Sequence, residues 1–213
     1  MKTKQIKVTL LHSTPLDVCS KAIRTCWDSH NKSDGGGDVD KKLIDRVGNK
    51  MKHKSVLNHL NFTFFIENIS TKMLMATTRH DVGTEFSVQS SRYTCKKSEL
   101  TYTLTKNPKI NIALSKIVDI INEAINDGGS CDNISMLLPQ SFQYTLTATF
   151  SLGALQHFWQ LRDSKDAHYD IRELSEKLFE EIPEEYKYLK ESKDNPVEVI
   201  PMVGSHIKGV KDA

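Results

Sequence analysis

The chain has 213 residues, with 29 Lys plus Arg against 27 Asp plus Glu, a formal net charge of +2. That length allows one large domain or two small ones, and near neutrality gives no bulk electrostatic reason to bind nucleic acid or an anionic membrane. A site for one small phosphate is fully compatible with it. No apolar run approaches the ~20 residues of a membrane span, and 10 Gly and 6 Pro are too few for a disordered or fibrous chain.

Residues 5–11 (QIKVTLL) read as a strand. Lys7, Thr9 and His12 break the apolar stretch and no small-residue cleavage site follows, so it does not read as a signal peptide. Pro15 opens a helix in which Leu16, Cys19, Ala22, Ile23 and Cys26 recur at spacings of three and four. Residues 30–40 (HNKSDGGGDVD) predict an ordinary flexible loop. It lacks both glycine-rich phosphate signatures, and Asp34, Asp38 and Asp40 repel phosphate. An amphipathic helix is expected over 41–52, with Leu43, Ile44, Val47 and Met51 on one face.

Residues 60–69 (LNFTFFIENI) alternate as a strand, and Ser70 can cap a helix over 71–79. The polar, Ser-rich stretch 81–95 matches neither a regular helix nor a clean strand. A strong helix over 110–126 ends at Gly128 and Gly129, and 142–150 alternates as a strand. Helices are expected over about 152–162 and 167–181, before Pro183; beyond residue 190 periodicity is low. Strands mixed with helices, without regular βαβ alternation, predict an α+β fold. Cys19, Cys26, Cys95 and Cys131 form no CxxC pair, and read as free thiols of a cytoplasmic protein.

Three constellations carry possible chemistry. Residues 79–93 (RHDVGTEFSVQSSRY) set Arg79, His80 and Arg92 among short polar residues. Arg is the planar fork for phosphate or carboxylate, and Ser hydroxyls add donors. The plainer alternative is a surface loop whose arginines pair with nearby acids. His53 and His59 flank a second segment, with no matched third ligand, so no metal site is expected. The third is the helix ending in Arg162. There a cation complements the helix dipole. Arg162 lies four residues beyond Phe158, so its stem starts from a partly buried position. A partly buried Arg without an adjacent acid needs a partner, and a ligand can be that partner.

Together these segments resemble the flavin-dependent thymidylate synthase family. Its Arg-His-Arg triplet and Ser-x-Arg-Tyr ending appear as RHDVGTEFSVQSSRY (79–93). Its upstream His-x-Ser/Thr-x-x-Glu-His pattern and aromatic strand appear as HKSVLNHLNFTFFIENIST (53–71). Its late Leu-Pro, strand and Leu-Arg pattern appears as LPQSFQYTLTATFSLGALQHFWQLR (138–162). The early AIRTCWDS (22–29), the glycine loop and LIDRVGNKMKHKS (43–55) fit one branch of the family, and the resemblance spans about residues 6–190.

The resemblance implies a single domain over 1–190, with a central, mainly antiparallel sheet packed with helices, and a C-terminal extension over 191–213. It implies a homotetramer with shared active sites, FAD as cofactor, and NADPH and methylenetetrahydrofolate as co-substrates. The reaction is reductive methylation of dUMP at C5, with no protein nucleophile. His53, Ser55, Asn58, Arg79, His80, Ser151 and His157 match cofactor positions. Ser90, Ser91, Arg92 and Arg162 match nucleotide positions, Arg162 being the catalytic one that polarises the pyrimidine. The chain also departs from the pattern. Asp81 replaces the second Arg of the triplet, and the signature is one residue longer. Asn58 replaces Glu, Thr71 replaces Arg, and the late Asn-x-Arg is Ser151-Leu152-Gly153. These departures fall at ligand positions. They keep open a related enzyme acting on another pyrimidine nucleotide, for example by C5 hydroxymethylation, or a catalytically degenerate nucleotide binder.

Overall fold

The computed structural model describes residues 1–96 and 99–190; the expected extension 191–213 lies outside the described residues. Strands β1 (Lys7–Ser13), β2 (Asn61–Ser70), β3 (Thr84–Val88) and β4 (Gln143–Ser151) form one sheet in the order β1-β2-β4-β3. Every neighbouring pair is antiparallel. Helices α1 (Leu16–Thr25) and α2 (Asp38–Ile44) follow β1, and α3 (Thr71–Thr77) joins β2 to β3. Between β3 and β4 come α4 (Ser91–Thr94), α5 (Pro108–Asn126) and α6 (Cys131–Ser135). After β4 come α7 (Leu152–Arg162), α8 (Tyr169–Glu180) and α9 (Glu184–Lys187). This is the expected α+β architecture.

Strand alternation sends Phe62, Phe64 and Ile66 of β2, and Leu146, Ala148 and Phe150 of β4, to one buried face. Leu155 and Phe158 of α7 and Leu174 and Leu178 of α8 belong to the same core. Each such aliphatic or aromatic side chain contributes roughly 1.5–3 kcal/mol by leaving water.

The two central strands also aim the site. In their antiparallel register Asn61 faces Ser151 and Ser70 faces Gln143. Each strand ends in a serine that caps the next helix. Ser70 Oγ accepts from the Met73 amide at 3.2 Å, and Ser151 Oγ accepts from the Ala154 amide at 3.2 Å. Helices α3 and α7 therefore start from opposite ends of the strand pair, and their C-terminal ends come together.

The glycine segment differs from the expected flexible loop. Asp40 is fully buried and receives Arg24 Nη2 at 2.6 Å and Nε at 3.0 Å. Ser20, Ser33 and the Gly36 amide also donate to it. Burial alone raises a carboxyl pKa, but these hydrogen bonds outweigh it and hold Asp40 well below the usual carboxylate range. The loop is thus folded around one ion pair, which composition could not reveal.

The expected helix over 41–52 is shorter. Helix α2 gives way to a π-helical turn over Asp45–Lys50, where Gly48 and Asn49 have low helix propensity, and Met51 is exposed. The stretch 81–95 holds β3 and α4. Only Phe86 among the large residues of β3 packs inward, edge-on to Phe150, so the strand carries little hydrophobic signal. Helix α5 buries Leu114, Val118 and Ile121 yet leaves Ile110, Ile112, Ile117 and Ile120 exposed. No helix among the described residues is long and apolar enough to cross a membrane.

Removing one partner of the buried pair strands a charge. Arg24→Leu is expected to lower the unfolding free energy by about 3–5 kcal/mol in urea denaturation. Lys21→Ala, which removes an exposed pair with Asp17, should leave the midpoint unchanged.

Candidate active site

Arg162, the last residue of α7, closes the gap to the end of α3. Its Nε donates to His80 Nε2 at 3.2 Å, and its Nη2 donates to the Ala76 carbonyl at 3.1 Å. The sequence demanded a partner for this half-buried arginine. Among the described residues, the structure supplies two neutral acceptors and no carboxylate. Accepting from a guanidinium requires a free lone pair on Nε2, so His80 is the neutral imidazole with its proton on Nδ1. Its surroundings enforce that state. His80 is 8% exposed, and its ring packs on Phe158 at 4.9 Å and His157 at 5.5 Å between centroids. Burial, then the Arg162 charge and His157, push its pKa down to about 4, with Asp81 pulling weakly the other way.

The positive charge here is concentrated. Arg162 is held below its ordinary pKa by burial and by the neighbouring Arg79 guanidinium. Arg79 itself is exposed at the end of the turn after α3. Two guanidiniums are thus near each other, and one of them is hydrogen-bonded to neutral groups only. Such an arrangement favours an anion, or a group that becomes anionic.

The longer signature is accommodated by a tight turn. The Thr84 hydroxyl donates to the His80 carbonyl, and the Ser151 amide donates to the Gly83 carbonyl at 2.7 Å. Gly83 has φ +73, and a Cβ there would lie 2.5 Å from Ser151 Oγ. Asp81 and Val82 are thereby left exposed at the turn.

A second group lies on the 3-10 turn Lys54–His59. His53, Ser55 and Asn58 are exposed there. Ser151 donates its hydroxyl to Asn58 Oδ1 at 3.1 Å while capping α7, so this buried serine is engaged on both sides. A Cβ on Gly153 would lie 2.7 Å from the same Asn58 oxygen. His157 is exposed on α7, which joins this turn to the His80–Arg162 pair.

The third group stands apart. Ser90, Ser91 and Arg92 follow β3 at the end remote from Gly83, roughly 20 Å away at the rise of an extended strand. Arg92 Nε pairs with Asp132 at 2.5 Å, both side chains being exposed. Among the described residues, no group of three or more His, Cys, Asp or Glu side chains could hold a metal ion.

A family model described as thymidylate synthase complementing protein matches residues 9–186. A flavin-dependent thymidylate synthase of Wolinella succinogenes is 42% identical over 196 residues, 85% of this chain and 96% of that one. One of Campylobacter jejuni is 42% identical over 200 residues, 87% of this chain and 96% of that one. The chain belongs to the flavin-dependent thymidylate synthase family. A thymidylate synthase of Helicobacter pylori, solved with FAD and dUMP, superposes with a TM-score of 0.82 at 33% identity. That match covers 88% of this chain and 98% of the other.

The chain keeps Arg79, Arg92 and Arg162, while Asp81, Thr71 and Gly153 stand where the family pattern has arginine. By sequence His80 matches only a cofactor position; its bond to Arg162, the Ala76 carbonyl and the Asp132 partner come from the fold. His80 and Arg162 lie 82 residues apart, so no local pattern signals the first. A backbone acceptor leaves no trace in side-chain identity.

The depressed His80 pKa has a stability consequence. Between pH 6.5 and 4 the unfolded chain takes up a proton that the folded chain refuses, so stability falls as pH is lowered through that window. The full difference is worth about 3 kcal/mol. In unliganded protein, His80→Gln keeps an acceptor for Arg162 and removes the titration. Its unfolding free energy should change less between pH 6.5 and 4 than that of the parent.

Proposed function

We propose that this chain is an FAD-dependent thymidylate synthase that methylates dUMP at C5, with methylenetetrahydrofolate as one-carbon donor and NADPH as reductant. The observation that carries the reading is Arg162, half-buried, hydrogen-bonded to two neutral acceptors and beside a second guanidinium. A pyrimidine whose C5 attacks an electrophile accumulates negative charge on its ring carbonyls. A fixed cation at that position stabilises the charge without first breaking a salt bridge. His80 holds the fork in orientation and, being neutral, does not neutralise it.

The residues present also suit the cofactor. Arg79, His53, Ser55 and His157 are exposed cationic, imidazole or hydroxyl groups, of the kind that binds a dinucleotide pyrophosphate and ring edge. Bound FAD, reduced by NADPH, supplies the hydride that converts the transferred one-carbon unit to a methyl group. Ser90, Ser91 and Arg92 supply hydroxyl and guanidinium donors for the nucleotide phosphate. The burial of Cys19 pushes its thiol up to about 12, consistent with a reaction that uses no cysteine nucleophile.

The spacing of the groups supports assembly. Ser90–Arg92 stand at the far end of β3 from Gly83, so one chain by itself spreads its nucleotide and flavin residues widely. The exposed isoleucines of α5 offer an apolar face for a second copy. We read the active unit as a cytoplasmic homotetramer in which neighbouring chains complete each site.

Purified protein should be yellow and convert dUMP to dTMP in a mass-resolved assay containing methylenetetrahydrofolate and NADPH. Arg162→Ala should cut turnover by about 10²–10³ while keeping the flavin colour. A hydroxymethyl product, or turnover only with another pyrimidine nucleotide, would replace dUMP methylation with the related reaction. A colourless protein that FAD cannot reconstitute would sink the enzymatic reading. Ile112→Glu with Ile120→Glu should shift the mass by light scattering below that of four chains, and lower activity with it.

A further inference from the structure

Cys95 and Cys131 meet in one small apolar cluster, near enough for the Cys131 thiol to act on the Cys95 proton. Cys95 is buried at the C-terminal end of α4, and Cys131 is the half-buried first residue of α6. Both belong to one small apolar cluster with Ile121 and Ile134. Two thiols in one cluster, on helices that an ion pair already joins, suit a disulfide, which needs the two backbones close together. The other cysteines are placed differently. Cys19 is buried and donates to the Val56 carbonyl at 3.3 Å, and Cys26 is exposed on the surface.

The same two helices carry a second link. Arg92 lies one turn before Cys95, and its partner Asp132 directly follows Cys131. The shared cluster and the ion pair therefore belong to one joint, between α4 and α6. We propose that Cys95 and Cys131 form a reversible dithiol–disulfide site, closed by an oxidant of the peroxide class, which fixes Arg92 against Asp132.

The chemistry balances with hydrogen peroxide as oxidant. The Cys131 thiol is the more exposed of the two and reacts first. Its sulfur takes one peroxide oxygen as the O–O bond breaks, giving a sulfenic acid and one water. The Cys95 sulfur then attacks that sulfur, the S–O bond breaks, and a second water leaves. Two electrons pass from the thiol pair to the peroxide. Burial, followed by the neighbouring Cys131 thiol, raises the Cys95 thiol to about 11, so the second step is the slow one. A thiol reductant reverses the bond by exchange.

The consequence for Arg92 rests on the proposed role of that residue in holding the nucleotide phosphate. With the joint locked, Arg92 stays on Asp132 and is less able to turn to a phosphate. The full chain is treated with hydrogen peroxide, its remaining thiols are alkylated, and its peptides are mapped without reduction. The expected result is a Cys95–Cys131 linked peptide that dithiothreitol removes. Cys95 fully alkylated beside an over-oxidised Cys131, or a link involving Cys26, overturns the pair. Binding of dUMP is then measured by calorimetry on both forms. The oxidised form should bind about tenfold more weakly, recover with dithiothreitol, and show no such loss in peroxide-treated Cys131→Ser. Equal affinity in both forms overturns the control of Arg92. Failure of the reduced protein to bind dUMP at all counts against the proposed substrate, while the peptide map still decides the thiol pair.

Discussion

The antiparallel pairing of β2 with β4 determines where every important side chain goes. Because Ser70 and Ser151 sit at opposite ends of the pair, the helices they cap run toward each other across one face. Their C-terminal ends meet at Ala76, His80 and Arg162. A one-residue slip would flip every side chain of a strand between the core and the other face. The buried aromatic and aliphatic side chains of both strands forbid that slip. Core packing therefore fixes the geometry of a polar site that lies outside the core.

At that site, electrostatics and burial oppose each other, and the balance is informative. Placing one guanidinium beside another is unfavourable, and so is taking it partly out of water. A structural arginine would ordinarily be neutralised by an acid, as Arg24 is by Asp40. Arg162 instead rests on an imidazole and a carbonyl. The contrast between these two arginines, one quenched and one poised, separates scaffold from chemistry within one chain.

The parts of this architecture that were legible in the sequence are those with strong periodic burial. The two central strands, α5, α7 and the Ser70 cap follow from alternation, helical spacing and cap chemistry. The edge strand β3 does not, because Glu85 and Ser87 alternate with Thr84 and Phe86 and leave one large apolar residue to read. The folded glycine loop was also illegible, since Arg24 and Asp40 meet only in three dimensions. At the site, the motif arginines and histidines were legible as residue types. The pairing of His80 with Arg162, the engagement of Ser151 in a cap, and the Asp132 partner of Arg92 were not, because each depends on positions distant in the chain. The meeting of Cys95 and Cys131 in one cluster is illegible for the same reason.

The close approach of Gly153 to Asn58 bears on how the chain came to depart from its family. The family pattern has a Glu and an Arg at these two places, and here both are gone. The carboxamide of Asn58 occupies the space that any side chain at 153 would need. Together the two replacements remove one acid and one base, which leaves the local charge sum unchanged. Arg at 153 alone crowds the Asn58 carboxamide, and Glu at 58 alone adds a negative charge beside the α7 cap. The two positions therefore act as one unit, and a change at either is felt at the other.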